Sequence, residues 1–325
     1  MGLRLLKARA AGVSEGGRCG GKMDPDELWS MRNNFYVGCY QGCLEEGEMA
    51  RLDDKPALVA QRDAFAARSK LALGDFRAVY GLVGAQPATL ELKAVREAAV
   101  VLDPATPAEA VSAALARIKS MVDQDASGNE TLRVMAGTAF AHVGDVNESL
   151  RALRAGPGSS SLEALHMQAM TYVRMDRPDA AKRVLEMMQQ KDEDSTLTQL
   201  ASAWVALASA STGGETSVRE ARYVFEELIG KWQPTPLLVG GLAAALMHQG
   251  NAAEALKQLD EVAKQYPDDA SVAFDRIVAS ELVGKPVDEA VESLRRVAPK
   301  HPYFQDLAKV SAVFDQSAKG FKASA

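Results

Sequence analysis

The sequence predicts an all-α protein, a right-handed α-solenoid of stacked helix hairpins, and three observations lead there. Ala and Leu dominate the 325 residues while aromatic residues make up only 6%, a balance that favours helices over a β-sandwich or barrel. Helix-period apolar stretches are interrupted again and again by Gly or another residue that tolerates left-handed backbone. The interruptions are evenly spaced: Gly38, Gly74, Gly144, Asp176, Gly214, Gly250 and Gly284 follow one another at steps of 36, 70, 32, 38, 36 and 34.

In chain order, residues 1–22 stand apart. They hold Arg4, Lys7, Arg9, Arg18 and Lys22 against the single acid Glu15. They read as a disordered leader, or as an upstream start before a working Met23, in preference to a targeting peptide. Gly16 to Lys22 satisfies G-x-x-x-x-G-K, but Met23 stands where a magnesium-binding hydroxyl is required and no apolar strand precedes it. No phosphate loop is therefore expected.

Residues 23–300 form the array. Its hairpins turn at Tyr36-Val37-Gly38, at Ala72-Leu73-Gly74, near Leu102-Asp103-Pro104, and at His142-Val143-Gly144. The turns of the second half fall at Arg174-Met175-Asp176, Thr212-Gly213-Gly214, His248-Gln249-Gly250 and Leu282-Val283-Gly284. The step of 70 hides the third unit, so there are about eight helix pairs. A mean period near 35 is that of tetratricopeptide-like repeats, about 34 residues. No single pair buries its apolar face alone, so neighbours must stack. Small residues mark the close approaches: Ala243 and Ala255 in the seventh unit, Ala169 and Ala181 in the fifth. The run from Gly156 to Ser161 reads as a flexible joint, and the stretch from Ser209 to Gly214 as an extended turn. In residues 301–325, Phe304, Leu307, Val310 and Phe314 recur at helical spacing and predict a final helix that caps the last pair, followed by a tail.

The formal charge of −6 argues against nucleic acid as a partner. Cys19, Cys39 and Cys43 supply no disulfide framework. Two uncharged stretches, residues 195–214 and 232–253, are too polar for membrane spans and read as buried helices. No catalytic, cofactor-binding or metal-ligating constellation is present, and no cofactor is expected. His142 and His248 end helices, where a cation suits the helix dipole. Asp192-Glu193-Asp194 lacks the spacing of a calcium loop and reads as a cap for the helix near Thr196. The function expected from the array alone is protein binding in its inner groove. Candidate groove residues on first helices are His166, Met170, Arg174, Leu200, Trp204, Met247 and His248. An inner curve filled by the chain itself would remove that expectation.

Particular strings then carry a resemblance. They are Asp26-Glu27-Leu28-Trp29, Asn34-Phe35-Tyr36-Val37-Gly38, the run from Asp192 through Ala201 to Trp204-Val205, and Ala221-Arg222-Tyr223-Val224-Phe225-Glu226-Glu227. Leu282-Val283-Gly284-Lys285-Pro286 and His301-Pro302 complete the set. From about Asp26 to Phe321 the chain resembles the coatomer epsilon subunit family of the COPI vesicle coat, with Gly240 where that family carries Asn. The resemblance implies a non-enzymatic coat subunit that binds the carboxy-terminal domain of the coatomer alpha subunit. It implies a cytoplasmic protein, peripheral on Golgi membranes and vesicles, that reaches membrane only indirectly through the coat. The implied process is Golgi-to-ER retrograde and intra-Golgi transport. The alternative reading is a soluble tetratricopeptide adaptor or co-chaperone that binds short peptides.

Overall fold

The computed structural model describes residues 26–52, 55–154 and 161–321. Among them are seventeen helices and no strand. The first four antiparallel pairs are α1 (Trp29–Tyr36) with α2 (Tyr40–Met49), α3 (Pro56–Ala72) with α4 (Phe76–Val83), α5 (Leu90–Leu102) with α6 (Ala108–Gln124), and α7 (Glu130–His142) with α8 (Val146–Leu153). The next four are α9 (Leu162–Arg174) with α10 (Pro178–Lys191), α11 (Thr196–Ala208) with α12 (Ala210–Lys231), α13 (Pro236–His248) with α14 (Ala252–Gln265), and α15 (Ala270–Val283) with α16 (Asp288–Val297). A lone helix, α17 (Pro302–Gly320), follows.

Local chemistry sets these boundaries. Thr89, Asn129, Ser161, Ser195, Thr235 and Asp269 each cap a first helix by accepting a backbone N–H with the side chain. Pro56, Pro178, Pro236 and Pro302 open helices at the position where the missing N–H costs nothing. At the hairpin turns, Gly38, Gly74, Gly144, Gly250 and Gly284 take φ between 73° and 82°. Asp176 does the same work at φ 56° and is the one non-Gly residue with positive φ among those described. The sixth unit departs from the expected extended turn. There α12 begins directly after Ser209, and Gly214 breaks the helical path with φ 62° and ψ −157°. The acidic run before α11 departs as well: Ser195 makes the cap, and Asp192 accepts from the N–H of Asp194 instead. The leader at 1–22, its phosphate-loop look-alike, Cys19, residues 156–160 of the joint and the last four residues lie outside the described residues.

Small residues let the helices approach. Ala169, Ala181, Ala243 and Ala255 are fully buried. A methyl group on Gly241 would stand 2.3 Å from Cζ of Phe225, and one on Gly137 would stand 2.6 Å from Cγ of Leu153. Each first helix packs against the next first helix, while second helices pack only against first helices on either side. First helices therefore make the inner layer and second helices the outer one.

The inner layer then closes on itself. Val37 and Cys39, at the turn of the first unit, belong to the same apolar core as Leu200, Leu238 and Leu242 of the sixth and seventh units. Tyr36 packs against the cluster that contains Leu165 and Ala169 of α9. The array is a tightly wound coil whose first hairpin sits against its sixth and seventh.

Of α17, only the first turn packs on the last pair. Tyr303 and Phe304 join the cluster of Ala273, Ile277, Ala290 and Leu294. Leu307, Val310 and Phe314 are 47%, 66% and 70% exposed. No second helix folds back over α17 among the described residues, so nothing covers its remaining turns.

Candidate partner-binding surface

The residues singled out as groove-lining divide by depth. Arg174 and His248 are exposed, in the last turns of α9 and α13. Met170 and Met247 are partly buried beside them and pack on the apolar core. Trp204 is partly buried and meets Phe225 edge-on at 5.2 Å between ring centroids. His166 is partly buried; its Nδ1–H donates to the carbonyl of Leu197 at 3.2 Å, tying α9 to α11. Burial holds the His166 imidazole below its ordinary pKa, so it rests neutral. Leu200 is 1% exposed and is a correction: its side chain belongs to the core and offers nothing to a partner. The period places all seven on first helices, but not the side of the helix that the coil covers.

Leu200, Trp204, Met247 and Met170 share apolar clusters with residues from the beginning of the chain, Tyr36, Val37 and Cys39. At the centre of the coil, Arg68 of α3 forms a salt bridge with Glu163 of α9, both side chains under 10% exposed. The guanidinium lies 4.5 Å from the ring centroid of Phe35 and 4.8 Å from that of Phe65. Burial alone would lower the Arg68 pKa, but Glu163 outweighs it and the group stays charged. Burial, reinforced by Glu163, pushes the Tyr36 hydroxyl far above its usual range. This ionic centre holds the second unit against the fifth.

A seam joins the first unit to the seventh. Thr235 donates its hydroxyl to the carbonyl of Val37 at 2.5 Å. Gln233 hydrogen-bonds Cys39, and Trp29 meets Trp232 at 5.5 Å between centroids. A Cβ on Gly38 would stand 3.2 Å from Cβ of Leu237, so the turn glycine allows the closest approach. The partners at Val37 and Thr235 are 198 residues apart. The sequence signal at Arg68 is one cation inside an Ala-rich helical face, and it does not identify Glu163.

The inner curve expected to enclose a partner is thus occupied, over the first, second, fifth, sixth and seventh units, by the chain's own side chains. What stays open is the rim where first helices end. Arg174 and His248 stand there, with Leu73, Val143 and Met175 exposed along hairpin turns.

Farther along, Asp275 of α15 is partly buried, with its Oδ2 3.0 Å from where a Cβ on Gly240 would be. Burial, then the charge of Asp269, pushes its carboxyl up to about 7. The missing side chain at Gly240 leaves room for the Asp275 carboxylate against α13. Burial likewise raises the Cys43 thiol to about 11, which suits a packed rather than a reactive cysteine. Among the described residues no group of His, Cys, Asp and Glu is placed to hold a metal ion, and no helix is long and apolar enough to cross a membrane.

The geometry has counterparts among known proteins. The family model described as "Coatomer epsilon subunit" matches residues 24–322. "Coatomer subunit epsilon-2" of Arabidopsis thaliana is 34% identical over 293 residues, covering 90% of this chain and 96% of that protein. "Coatomer subunit epsilon" of Caenorhabditis elegans is 29% identical over 303 residues, covering 92% and 99%. Among solved structures, the complex titled "Crystal structure of APC/C hetero-tetramer Cut9-Hcn1" contains a chain similar over 87% of this one and 54% of its own length. The TM-score is 0.57 at 15% identity. That likeness speaks to the helical-repeat fold.

Proposed function

The chain belongs to the coatomer epsilon subunit family, and from that premise we propose that it is a non-enzymatic structural subunit that binds the carboxy-terminal domain of the coatomer alpha subunit. The observation that carries the proposal is the extent of the family match, which runs the length of the described array instead of touching one repeat. Family membership supports assembly into a coat. The alpha-subunit contact, the retrograde and intra-Golgi transport steps and the cytoplasmic, coat-borne association with Golgi membranes are the proposal's finer content. No cofactor or nucleic acid takes part in it.

The partner contact is assigned to the rim, because the inner curve is filled. Arg174 and His248 are the exposed anchors, with Met170 and Met247 as apolar neighbours and Trp204 beneath them. His166 acts from behind by holding α9 to α11. Exposed polar anchors beside partly buried methionines suit a folded domain laid across several hairpins better than one extended peptide.

A pulldown of the purified full chain by the alpha subunit's carboxy-terminal domain tests this. Binding is expected for the natural sequence and a loss of about tenfold or more for Arg174→Glu with His248→Asp, roughly 1.4 kcal/mol. Unchanged binding by that variant would reject the rim. Absence of any binding would reject the alpha-subunit assignment. Short carboxylate-ended peptides serve as the control, and capture of these alone would favour the adaptor reading.

A further inference from the structure

α17 is the element that the array leaves uncovered. Five of the large apolar side chains exposed in this protein lie on it or at its end: Leu307, Val310, Val313, Phe314 and Phe321. Tyr303, Leu307, Val310, Phe314, Ser317 and Phe321 follow one another at steps of 4, 3, 4, 3 and 4. That spacing makes a narrow seam suited to one facing helix. By spacing along the chain α17 falls where a ninth first helix would begin, although beyond its first turn it stands off α15 and α16. It begins 32 residues after α15, as α15 begins 34 after α13. Each of the eight preceding first helices has an antiparallel second helix beside it; α17 has none among the described residues.

We propose that α17 pairs antiparallel with α17 of a second copy of this chain, each copy supplying the other's missing second helix. A two-fold axis across a helix pairs it antiparallel with its image and needs only one self-complementary surface. The result repeats the hairpin geometry by which this array already stacks. Setting Val310 opposite the partner's Phe314 also sets Leu307 opposite the partner's Ser317 and Tyr303 opposite the partner's Phe321. At the base of α17, Phe274, Tyr303, Leu307 and Val310 line an apolar notch of about 360 Å³. The same register brings the partner's Phe321 to that notch, so knob and hole come from opposite ends of one helix. Phe321 is 80% exposed in the single chain. Lys309, Asp315 and Lys319 lie off the seam, so pairing brings no like charges together.

The seam is smaller than the roughly 20–30 residues a side of a standard interface. A weak dimer, with Kd on the order of 10–100 µM, is therefore expected. Sedimentation velocity on the full chain from low micromolar to several hundred micromolar reads it. Phe321→Ala and Val310→Asp should each weaken dimerisation about tenfold or more while leaving the helical circular dichroism unchanged. In a Cys19→Ser background, a mixture of Val310→Cys and Phe314→Cys chains should cross-link on mild oxidation, because this register sets those two positions opposite each other. A chain that stays monomeric throughout overturns the proposal, even where another protein proves to cover α17. So does a dimer that ignores both seam variants, or a cysteine pair that fails to cross-link where a dimer is present.

Discussion

At the scale of single residues, Asp275 carries the clearest electrostatic consequence. Its carboxyl is raised to about 7 by burial and by Asp269, against about 3.9 in an unfolded chain. Between those two values the folded state holds a proton that the unfolded state has released. This group therefore makes stability fall as pH rises from about 4 to 7, the opposite of a salt-bridged aspartate. Asp275→Asn should stabilise the protein at pH 8 by about 1 kcal/mol, a figure discounted for partial solvent exposure, and should change little at pH 4. Urea unfolding at the two pH values measures it; equal effects at both would show that the carboxylate bears no burial cost. The sequence displays Asp275 as one more acid in a helix. Its surroundings are set by Gly240 on a different helix, and no local pattern records that.

At the scale of elements, the hairpins follow from short-range rules. In six of the eight hairpins a residue with positive φ ends the first helix, six of the eight first helices start on a capping side chain, and alanine or glycine stands where helices cross closely. The turn at Asp176 tests the first rule, because it does with a side chain what five other turns do with glycine. Asp176→Gly should stabilise by about 0.5–1 kcal/mol, since left-handed backbone costs an L-residue more than it costs glycine. Denaturant titration checks it, and a loss of stability would show that the aspartate contributes a contact worth more than its strain. The turns were legible because each depends on residues within four positions of one another, whereas the cap before α11 falls to Ser195 and not to the acidic run beside it. The sixth unit was less legible: Gly213-Gly214 marks a break, but where Ser209 ends α11 and how α12 resumes depends on packing against α13.

At the scale of the whole molecule, closure of the coil rests on contacts between distant units. The Arg68–Glu163 pair lies in the centre and bridges 95 residues of chain. Removing one partner leaves a buried charge unpaired, so Arg68→Ala should cost about 3–5 kcal/mol. Arg68→Met combined with Glu163→Leu should recover most of that, because an apolar pair bears no desolvation penalty. If closure depends on this centre, small-angle scattering of the single variant below its unfolding transition should show a larger radius of gyration, restored in the double variant. An unchanged radius in a destabilised Arg68→Ala protein would assign closure to the seam at Val37 and Thr235 alone.

The sequence by itself determined the period, the eight pairs, most of their turns and the family, because helix signals and repeat spacing are local and survive in any one stretch of chain. Only the tertiary structure decided that the first hairpin lies against the seventh, that Leu200 is core, that Arg174 and His248 remain at the rim, and that α17 stands uncovered. The reason is additive. A small rotation between neighbouring hairpins is invisible in either of them, yet summed over seven it determines whether the inner curve is an open groove or meets its own beginning.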